Sequence, residues 1–429
     1  MRRVSFRRAT AAAVAGVLAT ALGACGGSDG GDDDKVEVVF SYLWAGAEAE
    51  ALEEIIADFN ASQDEIEVRG VSNPDFQKQL TSMSGAQGSF DISDHFGNGV
   101  GAWASKGILA PLDDFIEADG LDTDDFVPAA MSQMMYEGQT YSMPIALHAQ
   151  MLMYNKKLYA EAGIDGPPET TEEWAEQIAK LTKRDADGTI TQLGYANAEI
   201  NTSFTTLGFM FGGAWDDQSG RPTPADPGNV AGLEFYTENI PGTYGVAEVR
   251  DFTSGFGEYA SAQNPFYVDK VATIIDGEWQ SVFIDQYAPN LDWGVAPLPY
   301  PAAQPELAGT TQVTTSTLFI PRNAKHPEEA WEFMKYLLSE DAMVRFTLAL
   351  GNLPARISLL DDPRYDTLPQ FSTWLDALRS PNAQSLASTP WSAEYTSDLG
   401  QAFDDIAQQR TSPAEGLADV ADKASSYAP

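Results

Sequence analysis

The chain has 429 residues, of which 43% are hydrophobic and 11% aromatic, which is enough for two or three domains with large cores. Its formal net charge of −38 at pH 7 argues against nucleic acid and against an anionic membrane surface as partners, because both attract Lys and Arg. A single cysteine excludes a disulfide framework, and three histidines far apart in sequence argue against a histidine-based metal site, so we expect no metal and no cofactor.

Residues 1–24 have the pattern of an export signal. A basic head with four arginines and no acid precedes twelve residues (11–22) that are small or apolar apart from one threonine. This stretch is shorter than the roughly 20 residues that a membrane-spanning helix needs. It leads into Leu-Gly-Ala before Cys25, which resembles a bacterial lipobox, so we expect cleavage before Cys25 and acylation of its thiol. The paired arginines leave the Sec and twin-arginine export routes both open.

Residues 25–35 follow the signal as the lipidated cysteine and a stretch of Gly and Asp without apolar residues. Such a composition is typical of a flexible tether. Attached to a lipid at Cys25, the tether would hold a folded body close to the extracellular face of the cell membrane. The alternative is an ordinary secretion signal with an incidental cysteine.

The folded part begins with a strand, a helix and a second strand. Residues 36–44 are rich in β-branched and aromatic residues and indicate a strand, and residues 66–71 indicate another. Between them, residues 47–59 carry apolar side chains at i, i+3, i+4 and i+7, which indicates a helix with one apolar face. This order predicts a βαβ unit and hence a parallel sheet.

Strands and helices continue to alternate. Residues 90–92 indicate the end of a short strand, and residues 97–112 a helix that leads to a turn. Thr170 and Glu173 have capping-box spacing at the start of a helix that runs to Leu181. Further strands are expected at 193–196, 271–276, 293–298 and 313–320.

The C-terminal part is predicted to be mainly helical. Pro327, after His326, suits the first position of a helix. Residues 399–428 indicate two helices with a break at 411–413. The alternation throughout indicates the α/β class, and the length suggests two such lobes.

Five segments in chain order carry recognisable motifs. They are WAGAEAEALEEIIADFNAS (44–62), 141–181 with Tyr-Asn-Lys at 154–156, VATIIDGEWQ (271–280), LFIPRNAKHPEEAWEFMKYLLSEDA (318–342) and GNLPARISLL (351–360). Together they resemble the family 1 extracellular solute-binding proteins, the sugar-binding components of bacterial ABC importers.

The resemblance implies a two-lobed periplasmic-binding-protein type II fold, as in maltose-binding-protein-like proteins. Each lobe is then a sheet flanked by helices, with the ligand in the cleft between the lobes. Three crossings between lobes are expected near 143–148, 309–314 and 353–357. Lobe one would comprise 36–144 plus 314–354, and lobe two 148–310 plus 356–429.

The same resemblance implies partners and a role. We expect a sugar or oligosaccharide ligand, ABC permease subunits in the membrane, a lipid anchor and a monomeric state. The chain itself has no nucleotide-binding motif, so the energy for transport would come from a cytoplasmic ATPase. Catalysis is not expected.

Sugar sites combine aromatic rings with planar polar groups, and the resemblance places candidates for both in the cleft. In the first half of the chain they are Trp44, Glu48, His95, Asn98 and His148. Packing is the alternative for Trp44, stabilisation of the helix dipole for Glu48, and a turn between glycines for Asn98.

In the second half the candidates are Trp215, Asp276, Trp279, Arg356 and Trp391. Trp279, in Asp-Gly-Glu-Trp, occupies the recurring stacking position of the family, and its glycine allows close approach. A place in the core is the alternative for Trp215, and an interlobe ion pair is the alternative for Arg356.

Two other functions stay open at this point. A secreted glycosidase would need two carboxylates about 5 to 9 Å apart, which 63 acids satisfy too easily to decide anything. A binder of polyamines or another small polar solute would need converging carboxylates beside aromatic rings, and Asp94, Asp276 and Glu278 could supply them.

Overall fold

We describe the fold from a computed structural model, which covers residues 35–45, 47–73, 75–86, 88–197, 200–217, 219–368 and 370–428. The predicted export signal, Cys25 and the tether as far as residue 34 lie outside these residues. In the part of the chain that is covered, no helix combines the length and the apolar character needed to cross a membrane.

The strands of the described chain are β1 (Val36–Tyr42), β2 (Ile66–Ser72), β3 (Ile92–Phe96), β4 (Met135–Tyr136), β5 (Gln139–Thr140), β6 (Met143–Ala149), β7 (Met151–Asn155), β8 (Lys183–Arg184), β9 (Ile190–Tyr195), β10 (Val271–Asp276), β11 (Trp293–Ala296), β12 (Thr311–Phe319), β13 (Leu353–Pro354) and β14 (Ala383–Gln384).

The α-helices are α1 (Ala47–Ser62), α2 (Phe76–Ser84), α3 (Val100–Ala104), α4 (Asp113–Asp119), α5 (Pro128–Met131), α6 (Lys156–Glu161), α7 (Thr171–Leu181), α8 (Ile200–Met210), α9 (Pro227–Asn239), α10 (Pro241–Tyr244), α11 (Val246–Thr253), α12 (Gln280–Tyr287), α13 (Pro327–Leu337), α14 (Glu340–Leu350), α15 (Phe371–Ala377), α16 (Ser392–Ala407) and α17 (Pro413–Ala424).

The larger sheet has the strand order β13–β6–β12–β3–β1–β2, and β14 pairs with the start of β12. β1 pairs in parallel with both β2 and β3, as the strand–helix–strand pattern predicts. β12 runs antiparallel to its neighbours β3 and β6. The carboxyl ends of β1, β3 and β6 therefore share one edge of the sheet with the beginning of β12.

The smaller sheet has the strand order β11–β7–β10–β9–β8. β10 runs parallel to β9 and antiparallel to β7, so Asp276 at the end of β10 lies opposite Met151 at the start of β7. Only Gln150 separates β7 from β6 of the larger sheet. Both sheets belong to one compact unit that begins at Lys35, and Gln150 marks where their edges meet.

Helices bury their apolar faces against each sheet. In α1 the periodic residues Leu52, Ile55, Ile56 and Phe59 are all buried, and the Phe59 ring packs 5.0 Å from that of Phe333 in α13. Burying one such side chain contributes about 1.5–3 kcal/mol to folding.

The helix α7 does the same for the smaller sheet. It begins with the predicted capping box between Thr170 and Glu173. Its Trp174 is fully buried between Tyr195 of β9 and Phe235 of α9. The cap therefore sets where the helix starts, and the tryptophan ties it to the sheet.

Two local predictions were wrong in extent. Residues 90–92 do not end a strand, because β3 begins at Ile92 and continues to Phe96. Residues 97–112 do not form one helix: a 3₁₀ turn at Gly97–Gly99 leads into the short α3, and Gly107, with a positive φ of 66°, follows it. The other strands and helices expected from the sequence are confirmed with ends shifted by a few residues, except that α16 begins at Ser392, well before the predicted residue 399, and Pro413 of the predicted break begins α17.

Candidate functional site

A cavity of about 610 Å³ lies where the edges of the two sheets meet. The larger sheet contributes the segments after β1 and β3, the end of β6 and the first half of β12. The other wall comes from α8 and α12. The lining residues are Leu43, Trp44, Asp94, Phe96, Gly97, Asn98, Gln133, His148, Gln150, Thr202, Trp279, Phe283, Gln312, Thr314, Thr315, Ser316, Asn352 and Leu386.

A second cavity of about 480 Å³ adjoins the first. The two share four lining residues, Gln150, Thr202, Trp279 and Phe283, and the second adds Ser203, Tyr259, Ile275 and Asp276. Trp279 and Phe283 thus place aromatic rings between the two spaces. The two adjoining cavities share the aromatic side chains of Trp279 and Phe283, and polar side chains of the larger sheet line the first.

His148 connects the two walls of the first cavity. Its Nδ1 lies 2.8 Å from Oε1 of Glu278, which follows β10, and its Nε2 lies 3.0 Å from the Ser316 hydroxyl on β12. The other oxygen of Glu278 accepts the backbone N–H of Ala149 at 3.1 Å. Glu278 is fully buried, and its carboxyl group faces His148 and the backbone of β6 rather than the cavity.

Asp276 is the centre of a second hydrogen-bonded group. Both of its oxygens lie 2.8 Å from the Tyr259 hydroxyl, and Gln280 donates to it at 2.7 Å. The indole N–H of Trp279 donates to the same tyrosine at 2.6 Å, which orients the ring. Burial raises the pKa of Asp276 to about 7.

Trp279 also depends on its neighbouring glycine. A Cβ at Gly277 would lie only 2.1 Å from the Trp279 ring. The glycine predicted to admit a ligand therefore admits the ring of Trp279 itself. This close approach holds the aromatic face at the boundary of the two cavities.

The larger-sheet wall is built mainly from uncharged polar groups. Gln312 accepts hydrogen bonds from Thr205 and Thr206 of α8, and Gln133 accepts one from Thr315. Asp94 also lines this wall, but it is buried and accepts the backbone N–H of Leu43 at 2.8 Å. Among the described residues that line the two cavities there is no Lys or Arg.

The structure brings five of the predicted site residues together. Trp44, Asn98, His148 and Trp279 line the first cavity, and Asp276 and Trp279 line the second. Trp44 also packs edge-on against Phe346, so it both lines the cavity and packs against the interior. Asn98 is likewise both a turn residue and a lining residue.

His95 lies away from the cavity. It belongs to β3, where successive side chains alternate between faces, so Asp94 and Phe96 face the cavity and His95 faces the other side. There its ring lies 4.0 Å from that of Trp103, tilted by 30°, and lines another cavity together with residues of α16. Burial lowers its pKa to about 3, so it is neutral at pH 7.

Three further candidates also lie outside the two cavities. Trp215 is fully buried and donates its indole N–H to the backbone of Thr205, as the core alternative predicts. Arg356 forms an ion pair with Asp125 at 2.7 Å. Trp391 packs against the core and donates to the backbone of Gly220. The side chain of Glu48 lies outside the described part of the chain.

Sequence reasoning missed several residues of the cavity wall. Phe96 is the most exposed of them, with 48% of its surface accessible. Extending the strand of residues 90–92 to Phe96 and applying its alternation would have found it. The amides Gln150 and Gln312 and the α12 residue Phe283 carry no local signal, because tertiary packing alone brings them to the cavity.

The acidic character of the chain does not create a metal centre in the described part. No group of three or more His, Cys, Asp or Glu side chains there has the arrangement to hold a metal ion. The carboxylates beside the cavity are instead engaged with N–H and O–H donors of the protein.

A family model described as a bacterial extracellular solute-binding protein matches residues 45–344. A maltotriose-binding protein of Pyrococcus abyssi is 24% identical over 331 residues, which cover 75% of this chain and 67% of that protein. A protein of Brucella abortus named as a binding protein is 30% identical over 256 residues. That match spans 59% of each of the two chains, so less than two thirds of the relative is covered.

Solved structures share the fold. CpMnBP1 with mannotriose bound matches with a TM-score of 0.78 at 24% identity, over 91% of this chain and all of that one. The GacH receptor of Streptomyces glaucescens, solved unliganded and with acarbose, matches with a TM-score of 0.73 at 21% identity, over 91% of this chain and 97% of that one. These likenesses confirm the predicted two-lobed α/β fold.

Proposed function

The chain belongs to the bacterial extracellular solute-binding protein family, and on that premise we propose that it captures a sugar or oligosaccharide in the paired cavities between its sheets. One observation carries the choice of ligand: Trp279 lines both cavities, and the larger-sheet wall of the first cavity is built mainly from uncharged amides and hydroxyls. A sugar ring has an apolar face for the indole and hydroxyls for that wall.

The placement of the acids favours a neutral ligand over a polyamine. A cation site needs carboxylates that point at the ligand. Glu278 is instead bonded to His148 and Ala149, Asp94 to the backbone of Leu43, and Asp276 to Tyr259 and Gln280. A polyamine would therefore meet carboxylates already committed to the protein.

The same placement argues against a glycosidase. Such an enzyme uses one carboxyl group as acid and a second as base or nucleophile, both facing the glycosidic bond. Asp276 and Glu278 are nearly or fully buried and bonded away from the first cavity. The role we propose is capture and release without chemical change to the sugar.

Delivery would follow from closure of the lobes. The lobes that we propose are residues 36–144 plus 314–354 and residues 148–310 plus 356–429, with the first crossing near residues 143–148, within β6. A sugar that contacts both walls stabilises the closed form by its greater affinity for that form. The closed form would then dock on the permease subunits of an ABC importer.

Location completes the proposal. Acylation of Cys25 would anchor a monomer at the extracellular face of the cell membrane, near the permease. Mass spectrometry of the membrane fraction tests this, with Cys25→Ser as the control that should lose the lipid and the membrane association. An unmodified thiol in membrane-bound protein would contradict the anchor.

Ligand binding is tested by thermal unfolding of the purified protein with maltotriose, mannobiose, mannotriose, acarbose and spermidine. A ligand at 100 times its dissociation constant adds about 2.7 kcal/mol to the free energy of unfolding. We expect at least one saccharide to raise the melting temperature and spermidine to leave it unchanged. A shift with spermidine and none with any saccharide would overturn the proposal, and turnover of a saccharide would replace it with an enzymatic function.

A further inference from the structure

Three buried residues form a hydrogen-bonded chain that ends at the first cavity. Glu278 Oε1 lies 2.8 Å from His148 Nδ1, and His148 Nε2 lies 3.0 Å from the hydroxyl of Ser316. Glu278 is fully buried and His148 is 8% exposed, while Ser316 lines the cavity. These hydrogen bonds thus connect Glu278, which follows β10 of the smaller sheet, to the cavity-facing side of β12 in the larger sheet.

The direction of each hydrogen bond follows from what each group can donate. An ionised carboxylate only accepts, and Glu278 Oε2 already accepts the N–H of Ala149. With the carboxyl group of Glu278 as the acceptor, the nitrogen facing Oε1, His148 Nδ1, carries the hydrogen. In the neutral imidazole Nε2 is then an acceptor, and the hydroxyl of Ser316 must donate to it.

We propose that Glu278, acting through His148, makes Ser316 an acceptor-only group, so that the cavity selects sugars with a hydrogen-bond donor at that point. A serine hydroxyl has one hydrogen, and here it is committed to His148. A ligand hydroxyl or N–H can donate to the Ser316 oxygen, whereas an ether oxygen, a carbonyl or a fluorine finds no donor. This inference rests on the proposed function, since it refines which sugars the cavity accepts.

The same order of groups activates a serine nucleophile in hydrolases. Such a site also needs N–H donors turned towards the developing oxyanion. Ser316 lies inside a sheet, with β3 paired on one side of β12 and β6 on the other. The backbone N–H groups around Ser316 are engaged in these ladders and are not free to bind an oxyanion. We therefore assign the hydrogen-bonded residues Glu278, His148 and Ser316 to ligand recognition and not to acyl transfer.

Glu278 and His148 are positioning residues in this scheme, and their effect is visible without any ligand. Nitrogen-15 NMR of histidine-labelled, ligand-free protein at pH 8 distinguishes the Nδ1–H tautomer, the Nε2–H tautomer and the doubly protonated ring. The chain has three histidines, so His148→Gln identifies the signal, and His326 serves as an internal reference. We expect His148 to be the Nδ1–H tautomer.

Two variants separate this assignment from a merely structural role. In Glu278→Gln the amide can donate as well as accept, so we expect the Nε2–H tautomer of His148 to become populated. In Ser316→Ala the Glu278–His148 contact remains, so the Nδ1–H tautomer should persist. A dominant Nε2–H or doubly protonated ring in the unmodified protein would overturn the proposal, even if a variant fails to fold.

The selectivity is measured by titration calorimetry. The probe is whichever of maltotriose, mannobiose and mannotriose binds, together with its monodeoxyfluoro analogues. We expect one analogue to bind at least tenfold more weakly to the unmodified protein, and to lose little or nothing further relative to its parent sugar in Ser316→Ala. Ser105→Ala, on the exposed end of α3, is the control and should keep the full discrimination.

The outcomes distinguish this inference from the proposed function. If no saccharide binds, the proposed function fails, while NMR still decides the tautomer. If a saccharide binds and Ser316→Ala retains the unmodified discrimination among the fluoro analogues, sugar binding stands and the role of Ser316 is refuted.

Discussion

The two walls of the cavities differ in the side chains that they present to the cavity. The wall from β3, β6 and β12 presents amides and hydroxyls, such as Asn98, Gln312 and Ser316. The wall after β10 holds the acids Asp276 and Glu278, but it buries both and turns the rings of Trp279 and Phe283 to the cavity.

This difference shows how an acidic protein can line a cavity mainly with uncharged groups. Carboxylates behind the wall orient the groups that face the ligand, Tyr259 and Trp279 in one case and His148 and Ser316 in the other. The acids therefore act on the ligand through intermediaries. Substitutions in each wall test this contrast between an aromatic wall and a polar wall.

Removing the aromatic ring should have the largest effect. We expect Trp279→Ala to weaken saccharide binding about 100-fold, or about 2.7 kcal/mol, because both cavities lose their shared stacking surface. Calorimetry with the saccharide found by thermal shift measures the loss. The unliganded melting temperature is the control and should change little, since Trp279 is partly exposed. Unchanged affinity would remove Trp279 from the site.

Asp276→Asn should change how stability depends on pH. The pKa of Asp276 is raised to about 7 in the folded state, from an ordinary 3.8, so the folded protein holds this proton longer than the unfolded chain. Its contribution therefore lowers stability as pH rises from about 4 to 7, by at most a few kcal/mol. Denaturant unfolding at several pH values should show this decline in the unmodified protein and a flatter profile in the variant.

An exposed aspartate elsewhere in the chain supplies the matched control for that profile. Asp217 is exposed, and hydrogen bonds from Ser219 lower its pKa below 3.8. Its contribution is lost only as pH falls below about 4, so Asp217→Asn should leave the slope between pH 4 and 7 unchanged. Equal profiles for the two variants would contradict the assignment to Asp276.

Displacing the ring without deleting it should have a smaller effect. A Cβ at residue 277 would lie 2.1 Å from the Trp279 ring, so Gly277→Ala must move the ring away from its place. We expect about a tenfold loss of saccharide affinity, measured by the same calorimetry. Gly166→Ala is the control, because a Cβ there meets nothing within 4 Å. Full affinity in Gly277→Ala would show that the ring position is not critical.

A single amide of the polar wall should matter least. Asn98→Ala removes one side chain among several that can bond sugar hydroxyls, so we expect about a fivefold loss, or roughly 1 kcal/mol. If Asn98→Ala costs more than Trp279→Ala in the same titration, the polar wall dominates recognition and the contrast drawn above is reversed.

Local sequence patterns were enough to predict most strands and helices of the fold. The capping box at Thr170 and the apolar face of residues 47–59 predicted helices that the structure contains. The strand of residues 271–276 was predicted to its last residue, which placed Trp279 correctly after a strand end. Family resemblance added the two lobes and pointed to His148 and Asp276.

Errors arose where a local pattern left the side-chain direction undecided. His95 was chosen and Phe96 was missed, because the strand was ended too early and its alternation could not be applied. Trp215 and Arg356 were chosen as cleft residues, yet one fills the core and the other pairs with Asp125, which is distant in sequence.

The sequence by itself determined the α/β class, the order of the strands along the chain and the family, because these depend on local periodicity and on motifs of a few residues. Tertiary packing determines which side of each strand faces the cavity and which donors form hydrogen bonds with each carboxylate. Some of these partners lie far apart in the chain, as His148 and Glu278 do, 130 residues apart, and no local pattern encodes such a contact. The predominance of uncharged groups in the lining of the candidate site, in a chain of net charge −38, is therefore a property of packing and not of composition.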